Sequence, residues 1–154
     1  LASFTKKVLI ISNMSRNCPL AFQKSAKVDE LVWWDYHVIL LAFKQNIKLI
    51  YDFDSRLEFP ASLNDYLNST FQKRTDGSNN DLPFFKSIDA AIYIASFFSD
   101  RSHMKDSYGN WIFPPPDWPL IQGKEKLTLE ELLNFTANSK QSIYSLEEIK
   151  TLSF

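Results

Sequence analysis

Two aromatic and β-branched runs, residues 33–43 and 47–53, are separated only by Lys44-Gln45-Asn46, and this closeness restricts the fold more than any other feature. Their composition predicts strands. A polar connection this short joins only antiparallel neighbours, because parallel strands need a crossover of a dozen residues or more. The two runs therefore make a hairpin. With the turn centred between Lys44 and Gln45, as a four-residue loop over 43–46 requires, facing residues have numbers that sum to 89. His37 then faces Asp52, an imidazole and a carboxylate each set between aromatic or apolar neighbours. Directly opposed side chains share a sheet face with Cβ atoms about 4.5–5.5 Å apart, so the two can hydrogen-bond. A slip of one residue would throw them to opposite faces. Asp35 and Asp54 fall on the same face by parity, where they also fit as solvated strand ends.

The rest of the chain builds around this hairpin. Val8-Leu9-Ile10-Ile11 reads as a buried strand and residues 20–23 as a short edge strand. Pro60 opens a helical pattern with Leu63, Tyr66, Leu67 and Phe71 on one stripe. Residues 75–80 hold Asp, Gly, Ser and two Asn and are expected to be a mobile loop. Residues 84–89 form a strand running into a helix near 90–98. Pro114-Pro115-Pro116 excludes helix and favours an extended surface segment, with Trp111 and Trp118 beside it as packing anchors. Thr128 with Glu131, and Ser145 with Glu148, are capping boxes that each start a helix. A hairpin-based sheet with segregated helices is an α+β fold, and 154 residues without a linker make one domain, 1–154.

Composition narrows the partners. A net charge of -1 gives no electrostatic reason to expect nucleic acid or an anionic membrane. The longest apolar runs fall far short of the roughly 20 residues of a spanning helix. Cys18 is the one cysteine, so no disulfide forms within the chain. The chain starts at Leu1 without an initiator Met and reads as a piece of a longer product.

A carboxylate that takes the proton of one imidazole nitrogen fixes the ring and leaves the other nitrogen to accept a proton from a nucleophile. Alternatively, His37 is a core histidine satisfied by Asp52 or by backbone. A metal set of His37, Asp52, Asp54 and His103 lacks the short helical spacing of metal motifs, so no metal is expected. Two longer stretches go further. Trp34-Asp35-Tyr36-His37-Val38 with Ile50-Tyr51-Asp52-Phe53-Asp54 and Phe59-Pro60 form one. Ser99-Asp100-Arg101-Ser102-His103-Met104-Lys105-Asp106 with Gly109-Asn110-Trp111 form the other. Together they resemble the protein N-terminal glutamine amidohydrolase family.

That resemblance implies hydrolysis of the side-chain amide of an N-terminal Gln to Glu and ammonia, which feeds proteins into the N-degron pathway. It also implies a papain- and transglutaminase-like fold and a Cys-His-Asp triad, with the catalytic His on His37 and the Asp on Asp52. Implied too are no cofactor, protein or peptide substrates, a monomer, and a cytoplasmic location extending to the nucleus. In the family the nucleophilic Cys lies upstream of the first apolar strand, near a helix start. No such motif occurs in these 154 residues, which are accordingly an N-terminally incomplete domain expected to be inactive alone. Cys18 stands after that strand and serves less well, since a nucleophile must come within hydrogen-bond reach of its base. Arg101 and His103 are expected either near the substrate cleft or in a self-tied loop. The competing readings are a catalytically dead module that binds protein N-termini and a cysteine protease or acyltransferase of the same broad fold.

Overall fold

The computed structural model describes residues 3–72, 81–99, 101–136 and 141–152. The loop expected over 75–80 and the Asp100 of the second stretch lie outside them. A mostly antiparallel sheet of six strands carries the fold. In chain order its strands are β1 (Thr5–Ser12), β4 (His37–Lys44), β5 (Ile47–Tyr51), β6 (Ala61–Ser62), β7 (Phe84–Asp89) and β8 (Ser142–Ser145). Their spatial order is β6-β5-β4-β1-β7-β8. Two further strands, β2 (Cys18–Leu20) and β3 (Val32–Trp34), pair in a small sheet of their own. Among the described residues, four short α-helices, α1 (Leu63–Thr70), α2 (Ala90–Ser96), α3 (Leu129–Leu132) and α4 (Leu146–Thr151), complete the mixed architecture. No helix among the described residues is long and apolar enough to cross a membrane.

The run Val8–Ile11 is unbroken by polar residues because β1 is central and both of its faces are covered. Leu9 and Ile11 point into a core with Ile39, Leu41, Ile50 and Phe85, closed by Tyr66 and Leu67 of α1 and Ile149 of α4. Val8 and Ile10 point the other way, onto Ile88, Leu132, Leu133 and Tyr93. The helix starts follow their caps. Ser62 accepts the amide of Asp65, and the Thr128–Glu131 and Ser145–Glu148 boxes are both closed reciprocally.

Three expectations are corrected. First, the hairpin turns on two residues, Gln45 and Asn46, so facing numbers sum to 91: Lys44 faces Ile47 and Leu40 faces Tyr51. Gln45 takes a left-handed φ of 53°, which lets the tighter turn close. The error of two residues preserves parity, and parity decides which face a side chain occupies. Second, residues 33–43 are not one strand. The chain leaves β3 at Trp34, passes through Asp35 and Tyr36, and starts β4 at His37. Third, Trp111 and Trp118 are 42% and 64% exposed rather than packed away, with the Lys105 ammonium over the Trp111 ring.

Candidate active site

His37 and Asp52 meet at one end of the central strands. Ile11 of β1 faces His37 of β4, so the imidazole lies on the same sheet face as Leu9, Ile39 and Leu41. Counting on from the β4–β5 ladder, Asp52 falls opposite Ile39, one diagonal step from His37. Asp52 lies just past β5, where the chain turns: its carbonyl accepts the Ser55 amide at 3.3 Å and its Oδ1 accepts the Asp54 amide at 3.0 Å. This local turn swings the carboxylate toward His37, and His37 Nε2 lies 2.9 Å from Asp52 Oδ1. The pair is sheltered, with side chains 11% and 1% exposed.

The other carboxylate oxygen is also engaged. The Tyr66 hydroxyl of α1 donates to Asp52 Oδ2 at 2.9 Å, and Gln23 Nε2 lies at 3.4 Å from it. Burial pushes the Asp52 carboxyl upward. The hydrogen bond and charge of His37, then the Tyr66 hydroxyl and the Asp54 amide, outweigh burial and hold it below the ordinary carboxylate range. The carboxylate form is thus the resident one. Tyr66 moves the opposite way, its phenol held well above the usual value by burial and then by the neighbouring Asp52 charge. It serves as a fixed donor. Trp34 of β3 stacks on the imidazole with ring centroids 5.1 Å apart and planes at 27°.

With Nε2 committed to Asp52, Nδ1 is the nitrogen left for proton transfer, and it has no hydrogen-bond partner among the described residues. His37 lines a cavity of about 440 Å³ together with Trp34, Asp35, Tyr36, His103 and Glu130. Cys18 cannot serve this nitrogen. Its side chain is fully buried on β2 within the core that holds Leu20 and Tyr66, and burial, then the charge of Asp81, pushes its thiol up to about 12. A thiolate does not form there near neutral pH.

The second stretch divides by residue. His103, on the 3₁₀ turn Ser102–Met104, reaches the cavity of His37 and also borders a neighbouring cavity of about 270 Å³. Arg101 is a strut instead. Its buried guanidinium donates to the carbonyls of Pro116 at 3.2 Å and Trp118 at 2.7 Å, holding the proline-rich segment against this wall. Asp54 is turned away, receiving the Ser25 hydroxyl. Among the described residues no three His, Cys, Asp or Glu side chains converge in a way that could hold a metal ion.

Sequence reasoning missed Tyr66, Gln23 and Trp34 as parts of the site. Tyr66 stood in plain view as the one polar-tipped residue on the apolar stripe of α1, and a buried phenol needs a partner. Gln23 gave no such signal.

Comparison with known proteins adds the lineage. A family model described as N-terminal glutamine amidase matches residues 3–153. A protein N-terminal glutamine amidohydrolase of Danio rerio is 43% identical over 127 residues, covering 81% of this chain and 63% of its own length. Those of Bos taurus and Homo sapiens are 37% and 36% identical over 143 residues, each covering 91% of this chain and 69% and 70% of their own lengths. The chain thus spans about two thirds of the length of the curated relatives it matches. The His37 and Asp52 segments fall within the stretch that the family model spans, and the chain belongs to the N-terminal glutamine amidase family.

Proposed function

We propose that the protein carrying these residues hydrolyses the side-chain amide of an N-terminal Gln, releasing ammonia and leaving N-terminal Glu, through a Cys-His-Asp triad. One observation carries the chemistry of this reading: a sheltered imidazole held by a buried carboxylate at 2.9 Å, with Nδ1 left over, in a chain of this family. Because Cys18 is buried and protonated, the nucleophile comes from outside these 154 residues, in keeping with the greater length of the relatives. The 154 residues then form one domain of papain- and transglutaminase-like type that another segment completes, and alone they are inactive.

The proposed steps make use of the imidazole–carboxylate pair. Nδ1 of His37 takes the thiol proton, and the sulfur bonds to the amide carbon, sending the carbonyl electrons onto oxygen. Asp52 stabilises the imidazolium so formed. As the oxyanion collapses, the C–N bond breaks and the imidazolium gives its proton to the departing ammonia. Water, deprotonated by His37, then attacks the thioester. The C–S bond breaks, the thiol regains its proton, and Glu leaves. The reaction needs no cofactor, suits a monomer, and serves protein substrates of the cytoplasm and nucleus through the N-degron pathway.

The test is ammonia release from a Gln-initiated peptide by the full-length protein, beside peptides with internal Gln or N-terminal Asn. The expected result is turnover of the first alone and a loss of roughly 10³-fold or more in His37→Ala. Equal turnover by the His37 variant would refute the mechanism. The reading of a binding module without chemistry predicts instead peptide binding and no ammonia.

A further inference from the structure

We infer that Asp35 is the acceptor for the substrate's free α-ammonium group, and so sets both the requirement for a chain terminus and the preference for Gln. The inference rests on the reading above and deepens it.

An enzyme of this specificity needs an acceptor for the α-ammonium at a fixed distance from the reacting carbon, and a carboxylate is the strongest such acceptor. Three carboxylates besides Asp52 are near enough to consider. Asp54 does not line the cavity of His37, and its carboxylate takes the amide and hydroxyl of Ser25. Glu130 lies on the rim, paired with Arg16 at 2.8 Å. Asp35 lines the same cavity as His37 and has no ion-pair partner among the described residues. It is also held. Its Oδ1 accepts the Tyr36 amide at 2.9 Å, and its carbonyl accepts the hydroxyl of buried Ser12 at 2.6 Å. One carboxylate oxygen is therefore anchored and the second has no hydrogen-bond partner among the described residues.

The spacing fits a ruler. In an extended Gln the α-nitrogen and the side-chain amide carbon are about 5 Å apart, from four bonds of ordinary length. Two residues along the chain, the Cα atoms of Asp35 and His37 are at most about 7 Å apart. The two lengths are of the same order and Asp35 and His37 line one cavity, so a Gln held by its ammonium at Asp35 suits a reaction beside His37. An Asn is one methylene shorter, and a misplacement of about 1 Å can cost roughly 100-fold in rate. An internal Gln has no ammonium to offer. The α-amino group is mostly protonated at neutral pH, its usual pKa being about 7.7–8.0.

The experiment measures binding, so that it stands apart from turnover. His37→Ala full-length protein is titrated with a Gln-initiated peptide and with its N-acetylated counterpart, then again with Asp35→Asn or Glu130→Gln added. The expected result is a free-amine preference of roughly 10- to 100-fold, as for a hydrogen bond between charged groups. It falls to near unity with Asp35→Asn and survives Glu130→Gln. A preference that survives Asp35→Asn, that falls with Glu130→Gln instead, or that is absent from the start overturns the assignment. Ammonia release by the protein with His37 intact is the separate arm. If it fails while the Asp35-dependent preference holds, the catalytic reading falls and this one stands.

Discussion

At the scale of single residues, the site depends on a carboxylate that three neighbours keep ionised. Tyr66 is the one whose removal is cleanest, because phenylalanine fills the same space. Tyr66→Phe is expected to cost about 1.5–3 kcal/mol, the usual worth of a hydrogen bond to a charged group. A pH effect follows. The folded-state carboxyl of Asp52 is depressed, so its contribution is present above the unfolded value of about 3.9 and is lost as pH falls through the folded one. Losing the phenol raises that folded-state value, so the acid-unfolding midpoint should move to higher pH, as followed by circular dichroism. An unchanged midpoint would show that the phenol does not support the carboxylate. His37 and Asp52 were legible in the sequence because a polar residue between apolar neighbours in a strand needs a reason to be there. Gln23 was not, since a polar residue at the end of the short run Leu20–Phe22 reads as an ordinary strand end and joins the site through folding alone.

Among the elements, those with a local signal were legible and those made by long-range pairing were not. The α3 and α4 starts followed from their capping boxes, whose partners are three residues apart. β8 escaped notice because Ser142–Ser145 carries no alternating pattern of its own and becomes a strand by pairing with β7. The hairpin register failed by two for a related reason: nothing in Lys44-Gln45-Asn46 announces a left-handed Gln45. A further element-level constraint is Gly123, whose amide donates to the Phe97 carbonyl at 2.7 Å where the chain crosses the end of α2. A Cβ there would lie 2.2 Å from the Ser96 carbonyl carbon. Gly123→Ala should therefore destabilise by roughly 1–3 kcal/mol or more, since backbone must move to admit the methyl. A melting temperature equal to that of the parent would contradict this close approach.

For the molecule as a whole, Lys86 couples stability to pH. This fully buried side chain of β7 donates to the carbonyls of Glu131 at 3.2 Å and Asn134 at 2.6 Å, over the Phe135 ring, and burial lowers its ammonium to about 8. Its unfolded value is about 10.4, so between the two the unfolded chain holds more protons and stability rises with pH. Below pH 8 the desolvation of this ammonium counts against the folded state. Cys18 acts in the opposite sense, its raised folded value giving stability that is lost as pH climbs above its unfolded value of about 8.5. The measurable quantity is consequently a difference: from pH 8 to 10, chemical denaturation should show the parent gaining stability relative to Lys86→Met. Parallel curves would mean that the ammonium is not desolvated.

The two-residue tip at Gln45 and Asn46 is exposed and stands at the opposite end of β4 from His37, roughly 25 Å away along the strand at the usual rise per residue. It offers a handle at which a fluorophore, tether or short insertion can be attached while the imidazole, its carboxylate and the mouth of the cleft are left undisturbed.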